Sequence, residues 1–218
     1  ILSHRFQINI HAIGDRANRI ALNEFERVFK KPESILYNGE ELRHRVEHAQ
    51  VVHPEDIPRF KTLKIIPSMQ PVHATSDMHM AEQRLTDKQL QGAYAWQTFL
   101  KQGSVVAAGS DYPVELANPF DGLYSAITRM DHNKLPENGW RASEVLNRED
   151  ALRAFTLGGA YAAHQEFKVG SLEQGKWADF ILIDKDYFTV PVEEIYNTHV
   201  LQTWIAGKLV YEKEVNGK

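Results

Sequence analysis

The segment Gln7-Ile-Asn-Ile-His-Ala-Ile-Gly-Asp15 is the most informative about the fold. It contains a short apolar run with a side chain that can bind a metal near its C-terminal end. The same arrangement returns in Arg45-Val-Glu-His-Ala-Gln50 and in Val105-Val-Ala-Ala-Gly-Ser-Asp-Tyr-Pro-Val114. In parallel β/α architectures the carboxyl ends of the strands meet on one face, where active sites are built. The three segments therefore predict parallel strands that bring their end residues together. The metal-competent residues at these ends are His11, His48 and Asp111.

The rest of the first 165 residues alternates between strand-like and helix-like patterns. Strand-like runs fall at 6–10, 42–51, 64–69 and 104–108, and helical patterns at 17–29, 54–60, 86–100, 119–130 and 148–163. This alternation predicts a parallel sheet with crossover helices, and four such units are half of an eight-fold barrel. Within the pattern at 119–130, we expect Arg129 to be a solvated helix charge, with contact to a substrate carboxylate as the alternative.

The pattern changes after Phe167. A turn-rich stretch at 169–179 leads into a strand-like run, and the segment 200–212 reads as a hairpin with Gly207 at its turn. We therefore predict two parts: a partial (β/α) barrel at 1–167 and a C-terminal β segment at 168–218.

Composition excludes several classes of function. The net charge is −4, and the sequence contains no long run of charges of one sign. We therefore expect no nucleic-acid partner. No apolar run approaches the roughly 18–20 residues of a membrane span. The absence of cysteine excludes disulfides and thiolate zinc sites. No signal peptide is visible, which favours a cytoplasmic location, although a leader upstream of Ile1 stays open.

Each of the three strand-end residues also has a structural interpretation. His11 and His48 could be core or capping histidines, and Asp111 could begin a helix. Together they match the imidazole and carboxylate ligands of catalytic zinc, which lowers the pKa of bound water to about 7. We expect a divalent metal, with zinc as the default and iron, manganese or nickel as alternatives.

The motifs resemble a known family. His-Ala-Ile-Gly-Asp-Arg-Ala at 11–17, Glu-His-Ala-Gln at 47–50, Ser-Met-Gln-Pro-Val-His-Ala at 68–74 and Gly-Ser-Asp-Tyr-Pro-Val at 109–114 resemble the amidohydrolase superfamily. The resemblance is to its amidohydrolase family 3 branch, which includes N-substituted formamide deformylases. The stretch 170–179 resembles the segment by which the chain of that superfamily passes from the barrel back into its small β domain.

The resemblance implies an α/β fold, the C-terminal half of a distorted (β/α)8 TIM-type barrel, followed by a small β segment of a composite β domain. The four predicted strands then look like strands five to eight of the family. His11 looks like the strand-five ligand, His48 like the strand-six ligand, and Asp111 like the strand-eight aspartate that contacts metal and shuttles protons. The family's first-strand His-x-His pair and bridging carboxylate have no match. We expect at most one metal in this chain and one or two in the full protein.

Further residues are assigned to the pocket. Gln70 and His73 follow the third strand-like run, and Tyr112 follows Asp111; all are expected to line the substrate site. For His73, metal ligation is an alternative. Asp15 is expected either to orient a ligand histidine through a hydrogen bond or to cap the first helix.

The function implied by the resemblance is metal-dependent hydrolysis of a C–N bond, other than a peptide bond, in a small amide-like substrate. Metal-activated hydroxide would attack, and Asp111 would shuttle the proton. Two alternatives stay open: a catalytically inactive fragment, and a metal-free α/β binding or structural module. Because half a barrel leaves open strand edges and an apolar interior, we expect self-association, or a missing N-terminal portion, to cover them.

Overall fold

The protein was analysed as a computed structural model, and the structure describes residues 4–31 and 42–214. Its strands form two sheets. The strands are β1 Asn9–Ala12, β2 Arg45–His48, β3 Ile66–Met69, β4 Ala107–Ala108, β5 Phe180–Ile183, β6 Val200–Ile205 and β7 Lys208–Glu212. The first four make a parallel sheet in the order β1-β2-β3-β4, and the last three make an antiparallel sheet in the order β5-β6-β7. The predicted parallel sheet is confirmed.

Helices connect the parallel strands, as the alternation predicts. The α-helices are α1 Asp15–Phe29, α2 Ile57–Thr62, α3 Pro71–Arg84, α4 Asp87–Leu90, α5 Trp96–Lys101, α6 Pro119–Thr128, α7 Arg148–Arg153 and α8 Gly159–Ala162. A π-helical turn at Ala154–Gly158 joins the last two. Within the described ranges, no helix is long and apolar enough to cross a bilayer.

The core lies between the parallel sheet and its helices. Leu22 of α1, Val46 of β2, Phe60 of α2 and Phe99 of α5 are each 0% exposed and belong to one apolar cluster. The rings of Phe60 and Phe99 meet edge to face with centroids 4.9 Å apart. Each such side chain contributes about 1.5–3 kcal/mol by leaving water. This packing fixes the strands whose ends carry the candidate ligands.

The other face of β1 and β2 is polar. His11 lies opposite Glu47 and Asn9 opposite Arg45 in the strand register, and Arg45 Nε donates to Glu47 Oε1 at 2.7 Å. Since alternate strand residues share a face, this part of the sheet presents polar groups away from Val46. We predicted that the sheet face away from the helices would be apolar, as the interior of half a barrel. That prediction is wrong for β1 and β2.

The structure contradicts two predictions about helices, the single helix at 86–100 and the cap at Asp15, and it adds helix α3, which the sequence patterns did not predict. The segment predicted as one helix at 86–100 forms two helices, α4 and α5. They are separate because residues 91–95 between them pair with the chain after β2. There Val52 N donates to Gly92 O at 2.9 Å and Tyr94 N donates to Gln50 O at 2.7 Å. A Cβ at Gly92 would lie 1.7 Å from Val52 O, so the approach requires glycine. Asp15 is the first residue of α1 and its N-cap is Gly14, so Asp15 does not cap the helix.

Arg129 is not a solvated charge. It is 0% exposed, and its guanidinium lies 4.3 Å from the ring centroid of Trp96 and 5.1 Å from that of Trp140. Its Nε donates to Trp140 O at 2.5 Å and its Nη1 to Tyr94 O at 2.9 Å. Burial lowers the pKa of Arg129 to about 9. Arg129 ties α6 to the segment before α5.

The C-terminal hairpin is confirmed. Strands β6 and β7 join through Ala206 and Gly207, whose φ values of 49° and 74° suit a tight two-residue hairpin turn. Apolar side chains of this sheet are exposed, among them Ile181 at 45% and Leu182 at 50%. The boundary at 167/168 stays a prediction.

Candidate metal centre

Three side chains with ligand atoms come together at the carboxyl ends of the parallel strands. One potential ligand atom from each of His48, His73 and Asp111 lies within 4.8 Å of the others. His48 ends β2, His73 lies in the first turn of α3 just after β3, and Asp111 follows β4. The parallel sheet therefore produces the convergence that the sequence predicts for His48 and Asp111, and it adds His73.

His48 lies where its strand stops being regular. Its φ is 74°, and that of Ala49 is 44°. In the strand register His48 lies opposite Ala12, one residue beyond His11, so a continued strand would send the two histidines to opposite faces. Instead their ring centroids are 4.3 Å apart at 66°.

Asp111 shares this backbone feature, with a φ of 61°. A positive φ is uncommon outside glycine and costs about 1–3 kcal/mol, and such residues cluster at functional sites. Two of the three clustered residues thus carry left-handed backbone that the surrounding packing must hold in place.

His73 faces both partners. Its ring stacks on that of His48 with centroids 5.7 Å apart at 14°, and its Nε2 lies 3.9 Å from Asp111 Oδ2. That separation is too long for a hydrogen bond. It leaves the imidazole and the carboxylate facing one shared space.

The electrostatics favour a neutral imidazole at His48. Burial lowers its pKa, the neighbouring His11 lowers it further, and the charge of Asp111 opposes both. Metals bind the neutral form of histidine, whose free nitrogen offers a lone pair.

Two buried nitrogens in the cluster lack a hydrogen-bond partner among the described residues: His48 Nδ1 and His73 Nε2. Buried polar atoms normally have partners, and unpartnered ones suggest an ion or water. Imidazole nitrogens beside one carboxylate are the donor set of catalytic zinc sites. The residues present therefore fit a divalent metal.

The remaining predicted residues lie around this cluster. His11 is exposed and contacts the His48 ring, but it is outside the three-residue group. Gln70 is the N-cap residue of α3, with a buried Oε1 that has no partner in the described chain. Tyr112 is 69% exposed beside Asp111. The roles of all three stay predictions.

Asp15 is hydrogen-bonded away from the histidines. Its Oδ2 accepts from Gln89 Nε2 at 3.0 Å and its Oδ1 from Arg16 N at 2.8 Å. Among the described residues, Asp15 has no hydrogen bond to a candidate ligand histidine. Its predicted role in orienting such a histidine therefore has no support from a contact.

Comparisons with known proteins identify relatives. The family model described as "Amidohydrolase family" (Amidohydro_3) matches residues 3–211. "Protein LONG AFTER FAR-RED 3" of Arabidopsis thaliana is 33% identical over 207 residues, covering 94% of this chain and 34% of its own length. "Putative amidohydrolase YtcJ" of Bacillus subtilis is 33% identical over 208 residues, covering 95% of this chain and 38% of its own. The chain thus spans little more than a third of these relatives.

Two further comparisons bear on the predicted branch and fold. "N-substituted formamide deformylase" of Arthrobacter pascens is 28% identical over 116 residues, 53% of this chain and 21% of its own length. The solved structure of an "uncharacterized metal-dependent hydrolase" from Pyrococcus horikoshii superposes with a TM-score of 0.71 and 29% identity, covering 85% of this chain and 35% of its own. The branch named from the motifs is confirmed.

Proposed function

The chain belongs to the amidohydrolase family, and from that premise we propose that it forms part of a metal-dependent hydrolase that cleaves a C–N bond, other than a peptide bond, in a small amide-like substrate. The observation that carries the proposal is the cluster of His48, His73 and Asp111 at the strand ends. The names of two relatives, a metal-dependent hydrolase and an N-substituted formamide deformylase, support the metal and the substrate class. The four-stranded sheet would be half of an eight-stranded barrel.

His48 and Asp111 would hold the metal, and zinc is the default for this donor set. We assign His11 as the third ligand from its strand-end motif, with His73 beside the ion. The competing set replaces His11 by His73, whose Nε2 is in the compact group. His11→Ala and His73→Ala distinguish the two sets, because only loss of the true ligand should reduce zinc content.

A metal ion bound there supplies Lewis acidity, lowering the pKa of a water molecule and polarising the substrate carbonyl oxygen. Asp111 Oδ2 takes a proton from the attacking water and passes it to the leaving nitrogen, so an amide and water become a carboxylic acid and an amine. The Asp111 side chain is 37% exposed, so water can reach it. His73, whose Nε2 lies 3.9 Å from Asp111 Oδ2, would face the substrate oxygen.

Turnover of small amides tests this proposal. The zinc-loaded chain is given a panel of N-substituted formamides and N-acyl amides, and amine release is measured. We expect release from at least one class, and a loss of about 100-fold or more in kcat for Asp111→Asn. Asp87→Asn, at an exposed helix start, is the matched control.

The outcomes separate the alternatives. Zinc binding without turnover favours a chain that holds ligands but is inactive by itself. Absence of both favours a metal-free binding or structural module. Turnover that survives Asp111→Asn contradicts the proton-shuttle role.

A further inference from the structure

Three side chains next to the metal cluster form a closed ring of hydrogen bonds. Gln50 Nε2 donates to Asp77 Oδ2 at 2.6 Å and to Tyr94 Oη at 2.9 Å. Tyr94 Oη in turn donates to Asp77 Oδ2 at 2.6 Å. Gln50 is 8% exposed and Tyr94 is 3% exposed, so the ring is largely shielded from water. Hydrogen bonds to a shielded carboxylate are among the stronger ones in proteins.

The ring joins the two chain segments that carry the clustered histidines. Gln50 follows His48 by two residues. Asp77 follows His73 by four residues in α3, which places the two on one face of that helix, one turn apart. The bond between Gln50 and Asp77 therefore fixes the end of β2 against the first turns of α3.

Tyr94 is itself held from both sides. Its backbone N donates to Gln50 O at 2.7 Å, and its backbone O accepts from Arg129 Nη1 at 2.9 Å. Its φ of 52° is left-handed, a conformation that these contacts stabilise. The Tyr94 hydroxyl thus projects from a fixed backbone. Its hydrogen bonds can therefore fix the positions of the Gln50 and Asp77 side chains.

We propose that Gln50, Asp77 and Tyr94 are positioning residues that set the separation and stacking of the His48 and His73 rings, and so the geometry offered to a metal ion. Where it concerns metal, this inference rests on the proposed function. Groups that orient metal ligands typically change metal affinity by about 10–100-fold when removed. The hydrogen-bonded ring of Gln50, Asp77 and Tyr94 holds the end of β2 against α3 whether or not metal is bound. Its loss should therefore also change the contact between the two imidazoles in the metal-free chain.

A pair of tyrosine variants tests the proposal. Tyr94→Phe removes one buried hydroxyl from the ring. Tyr187→Phe removes another hydroxyl, from a residue that is 5% exposed. This hydroxyl donates to Arg148 O at 3.0 Å, and within the described part of the chain it has no hydrogen bond to Gln50, Asp77 or Tyr94. Tyr94→Phe loses the two hydrogen bonds of its hydroxyl and Tyr187→Phe loses one, so in thermal unfolding of the metal-free proteins we expect both to be destabilised and Tyr94→Phe somewhat more. Asp77→Asn, which keeps the side-chain shape, is the second test variant.

Metal binding is followed by zinc competition and by the visible absorption of the Co²⁺-loaded chain. We expect the zinc dissociation constant to rise about tenfold in Tyr94→Phe and Asp77→Asn, with an altered Co²⁺ spectrum, and to stay unchanged in Tyr187→Phe. Wild-type affinity and spectrum in both ring variants overturn the positioning role while leaving the proposed function intact.

A metal-free measurement keeps the two proposals apart. Nuclear Overhauser contacts between the His48 and His73 rings are recorded without metal. We expect them in the wild type and in Tyr187→Phe, and expect them weakened in Tyr94→Phe. If the wild type binds no metal, the proposed function fails, and this comparison still decides the positioning role: unchanged ring contacts in Tyr94→Phe overturn it.

Discussion

A buried histidine just before β2, at the opposite end of the strand from the candidate centre, should make folding stability depend on pH. His44 is 1% exposed, and its ring packs against those of Phe25 and Phe29, with centroids 5.4 Å and 5.8 Å away. Its Nδ1 accepts from Ile8 N at 2.9 Å, just before β1. Burial lowers the pKa of His44 from 6.5 to about 4. Protonation of Nδ1 would also remove the acceptor for Ile8 N.

The sign follows from proton binding. Between pH 6.5 and about 4 the unfolded chain binds a proton at His44 that the folded chain does not. Stability from this residue is therefore full above the unfolded pKa and is lost as pH falls through that window. The shift corresponds to about 3 kcal/mol, since each pKa unit is worth about 1.4 kcal/mol.

His44→Asn isolates this effect, because the Asn oxygen can still accept from Ile8 N but does not titrate. The free energy of unfolding is measured by urea denaturation from pH 7.5 to pH 4. We expect the wild type to lose about 3 kcal/mol more than the variant over this range. His79→Asn, at an exposed position of α3, controls for the removal of one histidine. Parallel curves for wild type and His44→Asn would refute the reasoning.

Two further predictions concern stability and association. Arg129→Met should lower the free energy of unfolding by about 2–4 kcal/mol in urea denaturation, because the carbonyls of Trp140 and Tyr94 lose their buried donor; a change below about 0.5 kcal/mol would contradict it. The exposed apolar sheet at Ile181 and Leu182 predicts self-association in light scattering, reduced by Leu182→Glu, whereas a strictly monomeric wild type would count against that expectation.

The sequence predicted four parallel strands and the residues at their ends because both follow from local patterns. Short apolar runs ended by polar motifs indicated β1 to β4, and the turn at Gly207 indicated the β6–β7 hairpin. Since parallel strands must end on one face, His48 and Asp111 could be brought together without knowing any distance.

The helices beside the site were harder to predict because their signals depend on distant contacts. Pro71 follows the strand-like run at 64–69 and occupies the first turn of α3, where proline needs no backbone N–H partner. Missing α3 also hid the closeness of His73 to Asp111. The break before α5 arises from Gly92 and Tyr94 pairing with the chain after β2, which no local pattern reveals.

The left-handed backbone at His48 was equally unreadable. Strand alternation alone predicts that His11 and His48 face opposite sides, yet their rings are in contact. Non-glycine residues rarely adopt positive φ, so sequence gives no warning of it.

Metal stoichiometry tests the central claim most directly. The purified chain is dialysed against zinc, and its bound metal is measured by mass spectrometry together with that of His48→Ala, Asp111→Ala and the exposed control His79→Ala. The account predicts about one zinc ion per chain in the wild type and control, and little in the two cluster variants. A wild type without zinc, or zinc retained in full by both cluster variants, would contradict a metal centre at these strand ends.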